Sequence, residues 1–94
     1  MTWLEIIELR SAGNNRQLLA SELQNLIYEL DKETRRQAIK AYKRMRLDSD
    51  FSIHLFHDSK EMKINGSRLG LRIASALKAF GLVKHRIWIE LKED

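Results

Sequence analysis

Residues 39–56, IKAYKRMRLDSDFSIHLF, contain two short runs in which apolar and polar side chains alternate. Alternation with a period of two is typical of a β-strand that buries one face. The polar stretch Asp48-Ser49-Asp50 separates the two runs. The segment therefore predicts a β-hairpin, and this hairpin stands in the middle of the chain.

The length of the hairpin loop decides which residues lie opposite each other. A three-residue loop sets Arg44 opposite His54 and Tyr42 opposite Phe56, and it keeps the apolar side chains of both strands on one face. A two-residue loop would place an arginine among those apolar side chains. We therefore expect the three-residue loop, with Asp50 in the left-handed conformation because the loop has no glycine.

Helical periodicity flanks the hairpin on both sides. Upstream, leucine and isoleucine recur at spacings of three and four, which predicts a helix that starts near Asn14 and ends in the charged stretch 31–37. Downstream, Ser67 is suited to cap a second helix whose apolar stripe begins at Leu69.

Strand-like runs form the two ends of the chain. Residues 3–10 are rich in large apolar side chains at both parities, as in a central strand, and residues 85–92 alternate cleanly. The element order is then β-α-β-β-α-β. Right-handed crossovers predict an α+β fold of the ferredoxin-like type: one domain, residues 1–94, with a four-stranded antiparallel sheet and both helices on one face.

This arrangement leaves the second face of the sheet uncovered. We expect that face to carry Tyr42, Phe56 and Trp88, and two of these rings alone would expose roughly 300–500 Å². That is near the largest apolar patch that a monomer usually exposes. The sequence therefore predicts a homodimer that packs sheet against sheet. The first strand can place either of two sets of side chains on this face. We expect Trp3, Ile7 and Leu9, and the alternative set is Leu4 and Ile6.

Three segments resemble one known family. These are WLEIIEL at 3–9, IHLF at 53–56 and IWIE at 87–90. With these segments, the chain as a whole resembles the antibiotic-biosynthesis-monooxygenase-type proteins of the dimeric α/β-barrel superfamily in its element order and its apolar pattern. The resemblance implies two ferredoxin-like subunits packed face to face, with a pocket between sheet and helices. It also implies a cofactor-independent oxygenase acting on a small apolar or aromatic molecule.

The same family includes haem-degrading enzymes, which rely on a histidine carried by a helix. Here His54, His57 and His85 all fall on predicted strands or at their ends, so the resemblance to that branch is poor. We expect no cofactor. Whether the chain is an enzyme or a ligand sensor without catalysis is left open by the sequence.

His54 is the first candidate for catalysis. An imidazole in a partly apolar pocket is suited to take a proton from a phenol or an enol. The carboxylate of Glu5, one strand away, would fix which ring nitrogen of His54 carries the hydrogen. The ligand-binding candidates Tyr42, Arg44, Phe56 and Trp88 would line the pocket or form the dimer interface. The competing interpretation of His54 is a structural histidine.

Other polar patterns give weaker signals. His54 and His57 are three apart on a strand and point to opposite faces, so no metal site is expected. Residues 65–68, Asn-Gly-Ser-Arg, stand at a helix start where free backbone N–H groups can hold an anion. They are equally consistent with an ordinary helix cap.

The net charge of +4 raises the possibility of nucleic-acid binding, since RNA-recognition domains share this topology and stack bases on sheet aromatics. The third strand, DFSIHLF at 50–56, lacks the basic-Gly-aromatic signature of those domains. Nucleic acid is therefore an alternative rather than the expectation.

Composition also indicates a compartment. The chain has no cysteine and no apolar run near 18 residues. Its first residues form a strand-like run rather than the basic-then-apolar pattern of a secretory signal. We expect a cytoplasmic protein with no membrane partner.

Overall fold

A computed structural model describes residues 2–12, 16–34, 39–58 and 63–91. Within these residues the elements are β1 (Thr2–Ser11), α1 (Arg16–Thr34), β2 (Ile39–Arg44), β3 (Leu47–Asp58), α2 (Arg68–Leu77) and β4 (Gly81–Ile89). The predicted element order is confirmed. The capping position Asn14, predicted for the first helix, lies outside the described residues.

The four strands form one antiparallel sheet in the order β2-β3-β1-β4. β1 lies between β3 and β4 and pairs with both along most of its length. Ile7, for example, lies opposite Ile53 on β3 and opposite His85 on β4. Because β1 is an inner strand, it carries apolar side chains at both parities, as the sequence indicates.

Both helices pack on the same face of this sheet, which we call the helix face. One hydrophobic cluster joins Leu19 and Leu23 of α1, Ile73 and Leu77 of α2, and Ile7, Leu9, Ile53 and Leu55 of the central strands. Burying each such side chain contributes roughly 1.5–3 kcal/mol. This cluster fixes which parity of each strand faces the helices.

The phase expected for the first strand is wrong. Trp3, Ile7 and Leu9 are buried on the helix face, together with Glu5. The alternative phase is the observed one, since Leu4 and Ile6 have the opposite parity and lie on the second face. We call this second face the open face, because no described helix covers it. Trp3, Ile7 and Leu9 are the larger set of apolar residues on β1, and burying them against the helices stabilises this phase over the other.

The hairpin register expected from the sequence is also wrong. The chain reverses at Met45-Arg46, and β3 begins at Leu47, inside the predicted strand and before the predicted loop. The register of the β2–β3 pair shifts between Lys43 and Arg44, just before this turn. The left-handed residue is Arg46, with φ 72°, and not Asp50.

The shifted register changes the opposing residues on the open face. Lys40 lies opposite His54, and Tyr42 lies opposite Ser52, so the expected pairs of His54 with Arg44 and of Tyr42 with Phe56 do not form. Asp50 instead joins the sheet through contacts with Arg10 at 3.5 Å and Arg44 at 3.3 Å. Asp50 therefore lies within β3, with an arginine of β1 and an arginine of β2 beside it, rather than in a loop.

The start of α2 agrees with the sequence. Ser67 is its N-cap, and the Ser67 hydroxyl accepts a hydrogen bond from the backbone N–H of Gly70 at 2.9 Å. The buried side of α2 consists of Gly70, Ile73, Ala74 and Leu77. Neither described helix combines the length and apolar character needed to cross a bilayer.

Candidate functional site

A charged residue lies in the interior of the helix face. Glu5 is fully buried in the middle of β1. Its carboxylate contacts two imidazoles, with His57 Nε2 2.6 Å from Oε1 and His85 Nε2 2.6 Å from Oε2. The register explains this meeting: His57 lies opposite Trp3 and His85 lies opposite Ile7, so both histidines are diagonal neighbours of Glu5 on the same face.

The N-terminus of α2 closes over the same carboxylate. The backbone N–H of Ser67 donates to Glu5 Oε1 at 3.0 Å. The first turn of α2 contains no acidic residue, so Glu5 supplies the negative charge that a helix N-terminus favours. The sequence offers residues 65–68 as a possible anion site. In the structure the carboxylate of Glu5 already accepts the hydrogen bond of the Ser67 backbone N–H, so the anion at this helix start belongs to the chain itself.

Two glycines allow this close approach. At Gly70, an added Cβ would lie 1.9 Å from Glu5 Oε2. At Gly66, which has φ 97°, it would lie 2.5 Å from His85 Cε1. Side chains larger than hydrogen would thus displace the carboxylate or the imidazole.

Glu5 stays ionised despite its burial. Burial raises its pKa, but hydrogen bonds from Ser67, His85 and His57 outweigh burial, and the net pKa is lowered from the ordinary 4.5. An ionised carboxylate only accepts hydrogen bonds, so Nε2 of each histidine carries the hydrogen. In a neutral ring Nδ1 is then the nitrogen with the lone pair.

His57 also lines a cavity of about 470 Å³ at the end of the sheet where β1 begins and β3 and β4 end. The apolar wall consists of Trp3, Leu4, Phe56, Trp88 and Ile89. The polar lining consists of Thr2, His57, Asp58 and Glu90. A cavity of this size, with apolar walls and a few polar groups, is typical of a small-molecule site.

The orientation of His57 is held from two sides. Its ring stacks on the indole of Trp3, with centroids 4.0 Å apart and planes 17° apart. The carboxylate of Glu5 fixes Nε2. His85 shares Glu5 but does not line the cavity, so only one of the two imidazoles meets a bound molecule there.

The predicted pairing of His54 with Glu5 is wrong. His54 lies on the open face, opposite Ile6, and the sheet separates it from Glu5. Its Nε2 is 2.7 Å from the hydroxyl oxygen of Ser52, and its ring packs against Tyr42 with centroids 4.7 Å apart. Burial lowers the pKa of His54 below the ordinary 6.5, and Glu8 offsets part of that effect.

The four predicted ligand-binding residues lie on the open face but do not form one group. Phe56 and Trp88 flank Leu4 on neighbouring strands and line the cavity. Tyr42 and Arg44 lie on β2, outside the cavity lining, and Arg44 contacts Asp50. The structure therefore brings two of the four to the cavity.

Sequence reasoning missed His57 and His85 as partners of Glu5. A signal existed, because His57 has the parity of Phe51, Ile53 and Leu55, and His85 has the parity of Ile87 and Ile89. Polar residues at apolar positions of neighbouring strands indicate a buried polar cluster. In the described part of the chain, no group of three or more His, Cys, Asp or Glu residues is arranged to hold a metal ion.

Comparison of the chain with protein-family models, with curated proteins and with solved structures finds no match. The geometry of Glu5, His57 and the cavity is what bears on function.

Proposed function

We propose that this protein binds a small, flat, apolar molecule in the cavity at the end of the sheet, and that His57 takes a proton from that molecule. One observation carries the proposal. A fully buried, ionised Glu5 holds the imidazole of His57 in the wall of an aromatic cavity. A buried charge needs several hydrogen-bond donors, and a titratable group that such a charge holds beside a cleft is a candidate for a functional site.

The proposed step is a proton transfer. The O–H bond of a bound phenol or enol breaks, an N–H bond forms at His57 Nδ1, and the electron pair stays on the oxygen. The imidazolium keeps its Nε2–H on Glu5, whose negative charge stabilises the new positive charge. Glu5 acts here as a positioning residue, since it contacts His57 and does not line the cavity.

The experiment uses 4-nitrophenol, because its phenolate absorbs at longer wavelength than its neutral form. We expect the wild-type protein to bind it and to raise the phenolate fraction. His57→Gln should bind the probe without that rise, since an amide cannot take the proton. His85→Gln is the matched control, because it also changes a partner of Glu5 but lies outside the cavity. Equal ionisation in His57→Gln, or no binding to wild type, would contradict the proposal.

We also propose the finer fold assignment. The strand order β2-β3-β1-β4, with the two helices on one face, supports a ferredoxin-like arrangement. The proposed membership of the antibiotic-biosynthesis-monooxygenase-type dimeric barrels rests on the sequence resemblance, and this strand order is compatible with it. In this setting a deprotonated substrate is the species that a cofactor-independent oxygenase would present to dioxygen.

The proposed dimer forms through the open face. Tyr42, Phe56 and Trp88 are 48%, 43% and 55% exposed there. Together they leave roughly 300 Å² of aromatic surface in water. A second copy is a suitable cover, because the face carries charges of both signs, including the contact of Arg86 with Glu8 at 3.6 Å.

One observation favours a second candidate, the binding of single-stranded nucleic acid. The exposed rings on the open face stand beside cations, and Lys40 Nζ lies 6.0 Å from the ring centroid of Phe56. Bases stack on such rings, and phosphates bind such cations. Binding of a poly-uridine oligonucleotide that weakens steeply with salt would support this function. No binding at low salt would exclude it.

A further inference from the structure

We infer that the open face carries a second chemical site, in which Ser52 attacks the carbonyl carbon of a small carboxylic ester and His54 is the general base that takes the serine proton. This inference goes beyond the proposed function and uses different residues. Ser52 and His54 lie on the open face, whereas Glu5 and His57 lie on the helix face.

The serine and the histidine are in direct contact. They are two residues apart on β3, so their side chains project from the same face of the sheet. His54 Nε2 lies 2.7 Å from Ser52 Oγ, within the hydrogen-bond reach that a nucleophile and its base require. When Nε2 carries no hydrogen, the hydroxyl donates to it. The imidazole is then in position to take that proton.

His54 has the protonation state that a general base needs. Burial lowers its pKa below the ordinary 6.5, and the charge of Glu8 offsets part of that effect, so the ring is neutral at pH 7. Glu8 lies directly opposite Ser52 on β1 and is therefore a diagonal neighbour of His54. Its carboxylate stabilises the imidazolium that forms when the serine loses its proton.

Both side chains line a hollow of about 430 Å³ on the open face, which we call the open-face hollow. Ile6 and Tyr42 also line it, and the ring of Tyr42 packs against the imidazole with centroids 4.7 Å apart. Tyr42 lies opposite Ser52 on β2. The hollow therefore offers apolar surface beside the hydroxyl, as the acyl or aryl part of a small ester requires.

Arg44 supplies a positive charge in the open-face hollow. Its guanidinium has five N–H donors and contacts Asp50 through Nη1 at 3.3 Å, so it can also donate to a further oxygen. Attack on an ester places negative charge on the carbonyl oxygen, and N–H donors stabilise that charge. His54, Tyr42 and Arg44, which the sequence selects as candidates, thus share one site apart from the cavity beside His57.

The proposed step is an acyl transfer. The O–H bond of Ser52 breaks, its proton goes to His54 Nε2, and Oγ forms a bond to the carbonyl carbon. The bond from that carbon to the leaving oxygen then breaks, its electron pair stays on the oxygen, and His54 returns the proton to it. Water attacks the acyl group in the same way, which releases the carboxylic acid and restores the serine.

The test uses 4-nitrophenyl acetate, because its cleavage releases coloured 4-nitrophenolate and leaves an acetyl group on the protein. The protein is used at about 0.1 μM, below the concentration at which the proposed dimer forms, so the open face is accessible. Mass spectrometry of acid-quenched, digested samples locates the acetyl group. We expect it on Ser52, at a rate that is lost as pH falls through the pKa of His54, below 6.5.

Three variants assign the roles. Ser52→Ala should release 4-nitrophenolate at least about tenfold more slowly than the wild type. His54→Gln keeps a polar side chain but no base, so acetylation of Ser52 should fall about 100-fold. Ser49→Ala is the matched control and should react like the wild type. Ser49 is on the same strand, but its hydroxyl contacts a carboxylate oxygen of Asp50 at 3.1 Å instead of an imidazole.

The opposite results would overturn the inference. These are acetyl groups on lysines with none on Ser52, equal acetylation of Ser52 in His54→Gln, or equal release of 4-nitrophenolate by Ser52→Ala. None of them touches the proposed function, whose own test measures the ionisation of 4-nitrophenol and depends on His57.

Discussion

Glu5 carries its charge where water is excluded, and its hydrogen-bond donors come from three separate elements, β3, β4 and the start of α2. Glu5→Gln keeps the shape but removes the charge that both histidines and Ser67 require. We expect this change to lower the free energy of unfolding by about 3 kcal/mol, as for other buried charged networks that lose one member. Urea denaturation measures this loss. Glu8→Gln, on the open side of the same strand, should cost less than about 1 kcal/mol.

The pH dependence of stability tests the same residue. The folded pKa of Glu5 lies below the ordinary 4.5, so the unfolded chain binds the proton first as pH falls. The stabilisation from Glu5 is therefore complete above pH 4.5 and is lost as pH falls through the folded pKa. We expect the wild-type protein to lose stability in this acid range and Glu5→Gln to lose less. Parallel curves for the two proteins would show that Glu5 is not the group responsible.

Gly70 gives a prediction in which two effects have opposite signs. Alanine is a better helix former than glycine by up to about 1 kcal/mol, so propensity alone predicts that Gly70→Ala, in the first turn of α2, stabilises the protein. The added Cβ would meet Glu5 Oε2 at 1.9 Å, and moving the carboxylate away would disturb its hydrogen bonds with His57, His85 and the Ser67 N–H. We expect the clash to decide, with a net loss of roughly 1–3 kcal/mol.

A double-mutant cycle isolates this contact. In a Glu5→Ala background the clashing carboxylate is absent, so Gly70→Ala should cost less there than in the wild type. An equal cost in both backgrounds would place the effect elsewhere in α2.

At the residue scale, the sequence indicates that Glu5, His57 and His85 are buried, but it does not indicate that they contact one another. The parity of Glu5, His57 and His85 places each of them on an apolar face, as described above. Their contact depends on which face of the sheet Glu5 occupies. The sequence leaves this open, because β1 has apolar residues at both parities. His54, chosen from its apolar neighbours, has the parity of the open face. An error of one residue in the phase of a strand moves all its side chains to the other face and so replaces every candidate contact partner.

At the scale of elements, the turn between β2 and β3 is the place where the structure departs most from simple alternation. Arg46 adopts φ 72°, a conformation that costs an L-residue roughly 1–2 kcal/mol and costs glycine little. We expect Arg46→Gly to stabilise the protein by about 0.5–1 kcal/mol in thermal or urea unfolding. Met45→Gly, one residue earlier and without positive φ, is the control and should destabilise it. Destabilisation by Arg46→Gly would contradict the turn geometry.

The reason for the wrong register lies in the same hairpin. A loop at Asp48–Asp50 would let the alternating apolar residues of both strands share the core face, which is why the alternation predicts it. In the structure Met45 is exposed in the turn, and Asp50 forms ion pairs with Arg10 and Arg44. Arg10 belongs to β1, and a contact between strands that are distant in sequence is not visible in the local pattern.

At the scale of the whole molecule, the element order followed from the sequence because each element has its own period and length. The sheet order and the covered face then follow from crossover handedness and from one apolar cluster. The open face is different, since it carries Phe56 and Trp88 at one end and Tyr42 on the edge strand β2, with charged side chains such as Glu8 and Arg86 between them. A pattern of alternation places residues on a face, but it does not say what covers them.

The proposed dimer gives the last prediction. Covering about 300 Å² of aromatic surface is worth about 8 kcal/mol per subunit, which is comparable with the roughly 4–15 kcal/mol cost of association. We expect a stable dimer by light scattering at concentrations above about 1 μM. The double change Phe56→Ser with Trp88→Ser should give a monomer, because it removes the aromatic end of the open face. Leu18→Ser is the control, since Leu18 is 57% exposed on α1 and should leave the dimer intact. A wild-type monomer at tens of micromolar would leave the rings available to another partner, and single-stranded nucleic acid would then be the better assignment for this face.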